Sequence, residues 1–215
     1  MSEYTKYAEQ YHTYMTMTEA TLGKLMPIDN ALQHNVNDAM SYSLLGGGKR
    51  LRGVLVLAFN KLCGGNVDDA LPLACAAEMV HAYSLIHDDL PCMDNDELRR
   101  GKPTCHIRYG EAIALLAGDG LLTKAFETIC AAQGLSDNCK SRAVLMLSSA
   151  AGTQGMIGGQ VIDIESEGKT VSQQTLDKLH SLKTGALIRG AVAMGCLSAN
   201  ADAFTTECSD RFAEK

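Results

Sequence analysis

The sequence predicts an all-α domain, and its composition, its apolar spacing and its chain breaks each indicate this. The 215-residue chain is 46% hydrophobic but only 5% aromatic, with no Trp and ten Met. Strands favour β-branched and aromatic residues, whereas Ala, Leu and Met favour helices. Apolar residues recur at intervals of three and four, as on the buried face of a helix, and glycine or proline clusters separate these stretches. We therefore expect one domain of about eight helices.

Seven stretches of the chain carry the helical spacing. It predicts helices over residues 4–26, 29–45, 50–63, 68–89, 111–133, 138–157 and 172–197. Pro27 interrupts the first helix, and Gly158-Gly159 are expected to break the chain after the sixth. Residues 54–57, VLVL, could form a buried strand, but the length of the apolar stretch favours a helix.

The fourth predicted helix, 68–89, is apolar on most sides, which is typical of a helix at the centre of a bundle. The segment 90–104 that follows it holds two prolines and many charges, and we expect a loop there.

Charge and composition exclude several classes of partner. The net charge is −6, so the chain offers no basic surface for nucleic acid or anionic lipid. No uncharged apolar run approaches the roughly 18 residues of a membrane span, and the polar N-terminus lacks the apolar core of a signal peptide. The eight cysteines form no CxxC pair, and several lie in apolar helical runs. We expect reduced, structural thiols and a cytoplasmic protein.

The strongest candidate site is the acidic run HDDLPCMDNDE at the end of the fourth predicted helix. Asp88, Asp89 and Asp94 would repel one another there, and a divalent cation such as Mg²⁺ would relieve this repulsion. A solvated acidic loop is the simpler interpretation, and the D-x-D-x-D-G pattern of an EF-hand is absent. The basic residues Arg99 and Arg100 follow directly, which favours a diphosphate held between metal and guanidinium.

A second cluster, GGGKRLR, lies at residues 46–52. It is not a P-loop, because Arg50 stands where that motif has Ser or Thr. The glycines would let the backbone approach an anion at a helix start, where Lys49 and Arg52 add charge. Alone, the segment could equally be a helix-breaking loop, and His81 alone could be a packed core histidine.

Four motifs in order carry a resemblance to a known family. GGGKRLR, HAYSLIHDDLPCMDNDELRRGKPT, GGQVIDIESEG and KTGALI are similar to the successive motifs of the trans-isoprenyl diphosphate synthases, with Gly53 in place of the usual proline. The spacing of the first acidic motif resembles the bacterial-type farnesyl diphosphate synthases. This resemblance implies an isoprenoid-synthase-type bundle of antiparallel helices around a central cavity.

The resemblance also implies roles for the matching positions. The diphosphate of isopentenyl diphosphate would be bound by Lys49, Arg52, His81 and Arg100. Mg²⁺ would be bound by Asp88 and Asp94, with Asp89 in support. The allylic diphosphate would be held by Arg99 and, from the opposite wall, by Lys183 and Thr184. Gln160 and Asp163 would be structural or supporting residues, while Phe59 and Phe126 would belong to the core.

The implied reaction condenses isopentenyl diphosphate with dimethylallyl or geranyl diphosphate to give farnesyl diphosphate. Tyr83, five residues before Asp88, would be the floor that limits the length of the product. Synthesis of geranyl or geranylgeranyl diphosphate is the near alternative. A terpene cyclase shares the acidic motif but needs no second diphosphate site.

The resemblance has one gap. The family's second aspartate-rich motif normally follows the KTG block, and residues 1–215 do not contain it. The chain is therefore expected to be a single polyprenyl-synthetase-like domain that lacks its C-terminal portion. An inactive chain that acts as a binding or partner subunit is the alternative from another class, and a homodimer is the expected assembly.

Overall fold

A computed structural model describes residues 3–26 and 32–215, and α-helices make up most of the described chain. The helices are α1 Glu3–Leu25, α2 His34–Leu44, α3 Leu51–Leu62, α4 Val67–Asp88, α5 Cys105–Tyr109, α6 Glu111–Ala131, α7 Asp137–Ala151, α8 Met156–Ser166, α9 Gln173–His180, α10 Ala186–Ser198 and α11 Ala203–Ala213. A π-helical turn, Ser181–Gly185, joins α9 to α10. The all-α prediction is confirmed, whereas the predicted break at Pro27 and the helix start at Asp29 lie outside the described residues.

Helix α4 lies at the centre of the bundle, as its apolar sequence predicts. It packs against α6, α3, α10 and α1, and a run of its residues from Leu73 to Val80 is almost completely buried. The Asn66 side chain caps the helix by accepting a hydrogen bond from the Asp68 N–H. The negative charges of Asp68 and Asp69 lie in the first turn, where the positive end of the helix dipole stabilises them. Helix α4 carries His81, Tyr83 and Asp88, and its packing holds these residues in place.

The predicted chain break at Gly158-Gly159 is wrong. Both glycines lie inside α8, and the break falls earlier, between the end of α7 at Ala151 and the start of α8 at Met156. A side chain at Gly159 would collide with the backbone of the π-helical turn, because its Cβ would lie 2.2 Å from the Lys183 nitrogen. The glycine pair therefore allows α8 to pack closely against the π-helical turn. The spacing of residues along the sequence does not reveal this contact.

The predicted loop 90–104 contains a short hairpin. Strand β1, Leu98–Arg99, pairs antiparallel with β2, Lys102–Pro103. Arg100 and Gly101 form the turn, and both have positive φ. The two short helices α5 and α11 were not predicted, because neither carries a long apolar period. Within the described residues, no helix is long and apolar enough to cross a membrane.

Candidate active site

A cavity of about 570 Å³ opens beside the C-terminal end of α4. Its polar lining includes Arg52, His81, Asp88, Gln160, Lys183 and Thr184. Its apolar lining includes Tyr83, Leu115, Leu122, Met156, Ile157 and Val161. Residues from all four sequence motifs therefore meet at one cavity, and its lining is partly polar and partly apolar.

The acidic motif folds back on itself after α4. The Asp94 N–H donates to the Asp88 carbonyl oxygen at 2.9 Å, and the Leu90 N–H donates to the His87 carbonyl at 3.1 Å. This turn places the Asp94 side chain near Asp88. Burial raises the pKa of Asp88, Asp94 and Asp89 raise it further, and Lys183 and Arg99 oppose the rise. A half-buried carboxyl crowded by two others is a position that gains from a bound cation.

The residues present fit a Mg²⁺ site that is completed by substrate. Among the described residues, no group of three or more His, Cys, Asp or Glu side chains forms a ready-made metal cage. Mg²⁺ in phosphate-binding sites commonly takes only one or two carboxylates and fills its other positions with water and phosphate oxygens. Asp88 and Asp94 would supply two carboxylates from the same acidic turn.

Asp89 and Arg99 form a bidentate pair beneath the acidic turn. The Arg99 Nε donates to Asp89 Oδ1 at 2.8 Å, and Nη2 donates to the same oxygen at 2.5 Å. Asp89 is only 3% exposed, and its hydrogen bonds raise the pKa of Arg99. The pair ties β1 to the end of α4. The support that Asp89 would give to a metal site and a contact between Arg99 and the allylic diphosphate both stay predictions.

Arg52 and His81 line one part of the cavity with an unpaired cationic donor and a neutral imidazole. The Nε of Arg52 is buried without a hydrogen-bond partner in the described structure. Burial, together with the charges of Arg52, Arg100, Arg50 and Arg99, lowers the pKa of His81 to about 3. A neutral imidazole surrounded by guanidinium groups is suited to receive an anion, because the anion would satisfy both the charge and the idle donor.

The glycine loop before α3 is held by groups that the sequence motifs did not single out. Arg50 has a left-handed backbone with φ 50° and is 5% exposed. Its guanidinium donates to the Leu44 carbonyl at 2.7 Å and to Glu19 Oε1 at 3.2 Å, and it lies 3.9 Å from Glu78. Glu78 could have been noticed as the one acidic residue within the apolar run LACAAEMV, since a buried charge needs a partner.

The two remaining residues of the predicted isopentenyl diphosphate site lie at this loop rather than in the cavity lining. Lys49 is exposed, and its carbonyl accepts a hydrogen bond from the Tyr11 hydroxyl at 2.5 Å. Arg100 is exposed too, and its guanidinium donates to the Gly47 carbonyl and packs against Gly48. The structure therefore brings Arg52 and His81 together at the cavity and places Lys49 and Arg100 beside the neighbouring loop.

The opposite wall joins the last two motifs. The π-helical turn carries Lys183 and Thr184, and the Lys183 Nζ lies 2.5 Å from Asp163 Oδ2 of α8. Such turns inside helices often occur at functional sites. Gln160 lines the cavity, and its Nε2 is a buried donor without a partner in the described structure. Gln160 is thus a candidate contact residue beyond the structural role expected from the sequence.

Tyr83 lines the cavity from the side of α4. It is 5% exposed, and its ring packs edge-on against the His87 ring at 5.6 Å between centroids. His87 Nε2 in turn lies 3.0 Å from the Leu115 carbonyl of α6. The role of this ring as a floor stays a prediction. Phe59 is buried and Phe126 packs against the core, so both are core residues.

Comparisons with known proteins agree with this geometry. The sequence model described as polyprenyl synthetase matches residues 33–215. The chain is 49% identical over 177 residues to farnesyl diphosphate synthase of Geobacillus stearothermophilus, covering 81% of this chain and 60% of the relative. It is 44% identical over 211 residues to chloroplastic geranylgeranyl pyrophosphate synthase of Capsicum annuum, covering 95% of this chain and 57% of the relative.

Solved structures show the same arrangement. The crystal structure of an FPP/GFPP synthase from Zymomonas mobilis, without ligand, superposes with a TM-score of 0.91 at 35% identity. The match covers 96% of this chain and 77% of that structure. The present chain thus spans less than two thirds of the length of the two sequence relatives, while nearly all of it takes part in the shared fold.

Proposed function

Because the chain belongs to the polyprenyl synthetase family, we propose that it is a trans-prenyltransferase. It condenses isopentenyl diphosphate with dimethylallyl or geranyl diphosphate to give farnesyl diphosphate. One observation carries this proposal: a single cavity is lined by the Asp88 carboxylate, by the unpaired buried Nε of Arg52 and by the neutral imidazole of His81. Two anionic substrates need these two kinds of binding group.

The first binding group serves the allylic substrate. Mg²⁺ held by Asp88 and Asp94 would neutralise the allylic diphosphate and make it a better leaving group. Lys183 and Thr184 approach from the π-helical turn, where their polar groups would contact the same diphosphate. Arg99 and Asp89 hold the acidic turn in place through their bidentate pair. These residues together orient the bond that breaks.

The second binding group serves isopentenyl diphosphate. Arg52, His81, Lys49 and Arg100 would hold its diphosphate, so that its double bond points toward the allylic carbon. The allylic C–O bond breaks and its electron pair leaves with the diphosphate. The double bond then attacks the cationic carbon, and the proton lost from the new chain passes to the departing diphosphate. Leu122, Met156 and Val161 keep water away from the cation.

The remaining expectations concern the setting of the enzyme. A homodimer would cover exposed apolar side chains such as Leu116 on α6, which is 53% exposed. A cytoplasmic location is supported by a cysteine pattern without paired spacing. The net charge of −6 makes nucleic acid an unsuitable partner.

Product analysis tests the proposed reaction. The purified chain is incubated with labelled isopentenyl diphosphate, geranyl diphosphate and Mg²⁺, and products are separated after removal of the diphosphate. We expect farnesol, its loss when Mg²⁺ is chelated, and its loss in Asp88→Asn. Conversion of geranyl diphosphate alone into a cyclic product would instead identify a terpene cyclase. Binding of both substrates without any condensation would support the partner-subunit alternative.

Synthesis of geranylgeranyl diphosphate is the second candidate function. The similarity to the Capsicum annuum relative, named as a geranylgeranyl pyrophosphate synthase, favours it. The buried ring of Tyr83 in the lining of the cavity favours the shorter product. The same product analysis separates them, since the dominant alcohol would then have four isoprene units and not three.

A further inference from the structure

Two cysteines far apart in sequence touch at the end of the bundle opposite the candidate active site. Cys63 caps the C-terminal end of α3 and is half-buried, while Cys196 lies on α10 and is completely buried. Their sulfur atoms are 3.8 Å apart, although 133 positions separate them along the chain. Both are free thiols in this structure.

The packing of α3 on α10 holds these thiols together. A side chain at Gly195 would come within 2.5 Å of the Val56 carbonyl oxygen, so the two helices approach very closely at this point. The Asn60 Nδ2 donates to Ser198 Oγ at 2.8 Å and fixes the same two helices beside the thiols. A disulfide needs an S–S distance of about 2.05 Å. Rotation about the Cα–Cβ bonds can supply most of the difference.

We propose that Cys63 and Cys196 are a disulfide-forming pair that closes under oxidising conditions and ties α3 to α10. A disulfide oxidant such as oxidised glutathione reaches Cys63 first, because Cys196 is buried. The Cys63 thiolate attacks one glutathione sulfur and releases one glutathione thiol. Cys196 then loses its proton, attacks the Cys63 sulfur and expels the second glutathione. Two protein thiols are oxidised, and one glutathione disulfide is reduced to two thiols.

The environment of Cys63 controls the rate of disulfide formation. Burial, together with Cys196 of α10 and Asp202 before α11, raises the pKa of Cys63 to about 11. The reactive thiolate is therefore scarce at neutral pH, and the pair stays reduced unless the oxidant persists. While the pH stays below that pKa, each increase of one pH unit raises the thiolate fraction about tenfold. The rate of disulfide formation should rise by the same factor.

The position of the pair determines what the bond does. Arg52 lies at the start of α3 and Lys183 lies just before α10, and both line the cavity. The two helices therefore leave the site side by side, and the disulfide joins their far ends. Because it closes a very long loop, it constrains the unfolded chain strongly while leaving the cavity residues in place.

Oxidation of the full chain tests this proposal. The reduced chain is incubated with oxidised glutathione at pH 8.5, its free thiols are alkylated, and its peptides are analysed without reduction. We expect a peptide that links Cys63 to Cys196, and a rise in Tm of about 5 °C or more that dithiothreitol reverses. Cys63→Ser and Cys196→Ser should each abolish the rise, and Cys130→Ser, which alters an exposed cysteine of α6, should keep it.

Three results would overturn the proposal. The first is a Cys63 that carries glutathione and never links to Cys196. The second is a dominant link that involves another cysteine. The third is an equal rise in Tm in Cys63→Ser. None of these measurements uses catalytic activity, so they stand apart from the proposed prenyltransferase function.

Discussion

A single backbone N–H links the first basic motif to the buried carboxylate of α4. The Gly53 N–H donates to Glu78 Oε1 at 2.9 Å, and Glu78 also lies beside the buried Arg50. Related sequences are expected to carry proline at this position, which has no N–H to donate. The glycine in this chain therefore supplies a bond to a carboxylate that is 2% exposed.

Replacing this glycine tests the bond. Gly53→Pro should lower the free energy of unfolding by about 2–4 kcal/mol, because it removes a donor from a buried charge and places atoms against Thr18. Gly53→Ala keeps the N–H and should cost less. Urea unfolding of the three proteins gives the values. Equal stability of Gly53→Pro and the wild type would show that the bond to Glu78 is dispensable.

His81 should make the protein sensitive to mild acid. Its pKa is about 3 in the folded chain, against 6.5 for a free side chain. Between these values the unfolded chain binds a proton that the folded chain does not. The contribution to stability is therefore complete above pH 6.5 and is lost as the pH falls, by about 1.4 kcal/mol per pH unit.

Urea unfolding at pH 7.5 and pH 5.0 measures this effect. The free energy of unfolding of the wild type should fall by about 2 kcal/mol more than that of His81→Gln, which has no titrating imidazole. If both proteins lose the same amount, the loss arises from other groups and the buried neutral state of His81 is refuted.

Tyr83 should determine how long the product grows. Tyr83→Ala removes the ring from the lining of the cavity, and the main product should lengthen by at least one isoprene unit. Tyr83→Phe keeps the ring and should make the wild-type product. Chromatography of the dephosphorylated alcohols reads the length directly. A farnesyl product from Tyr83→Ala would mean that the floor is another residue.

At the scale of the elements, the contact between α8 and the π-helical turn couples two motifs. Gly159 allows the Lys183 backbone to approach, and Lys183 then pairs with Asp163. Gly159→Ala should lower stability by about 1–3 kcal/mol and weaken binding of the allylic substrate, because the turn must move away. Gly23→Ala is the matched control, since nothing lies within 4 Å of its added methyl group.

The control should be neutral or stabilising by up to about 1 kcal/mol, because alanine suits a helix interior better than glycine. Thermal unfolding and allylic diphosphate titration of both variants measure the two effects. A Gly159→Ala protein that binds and unfolds like the wild type would contradict the proposed coupling.

Elements with a long apolar period could be predicted, and short or contact-dependent elements could not. The bounds of α3, α4 and α6 lie close to the expected ones because their sequences bury residues at helical spacing over three or more turns. Helix α5 has five residues, and the break before α8 depends on which glycines pack against a distant turn. The spacing of apolar residues along the sequence does not show which glycines pack against a distant turn.

At the scale of the whole molecule, the motifs predicted which residues meet, and the structure adds how they are held. Arg52, His81, Asp88 and Lys183 line one cavity, as the order of motifs implied. The network of Arg50, Glu78 and Tyr11 that fixes the glycine loop was not predicted. Tyr11 lies on α1, Glu78 lies on α4 and Arg50 directly precedes α3, and only tertiary packing brings them together.

The central claim is that one cavity has two separate diphosphate sites, and calorimetric titration tests it most directly. Isopentenyl diphosphate should bind without Mg²⁺, and Arg52→Ala should weaken it by about 10- to 100-fold through loss of charge-assisted hydrogen bonds. An unreactive allylic diphosphate analogue should bind only with Mg²⁺, and its binding should be lost in Asp88→Asn. Undiminished binding of isopentenyl diphosphate to Arg52→Ala, or allylic binding that ignores Mg²⁺ and Asp88, would contradict the account.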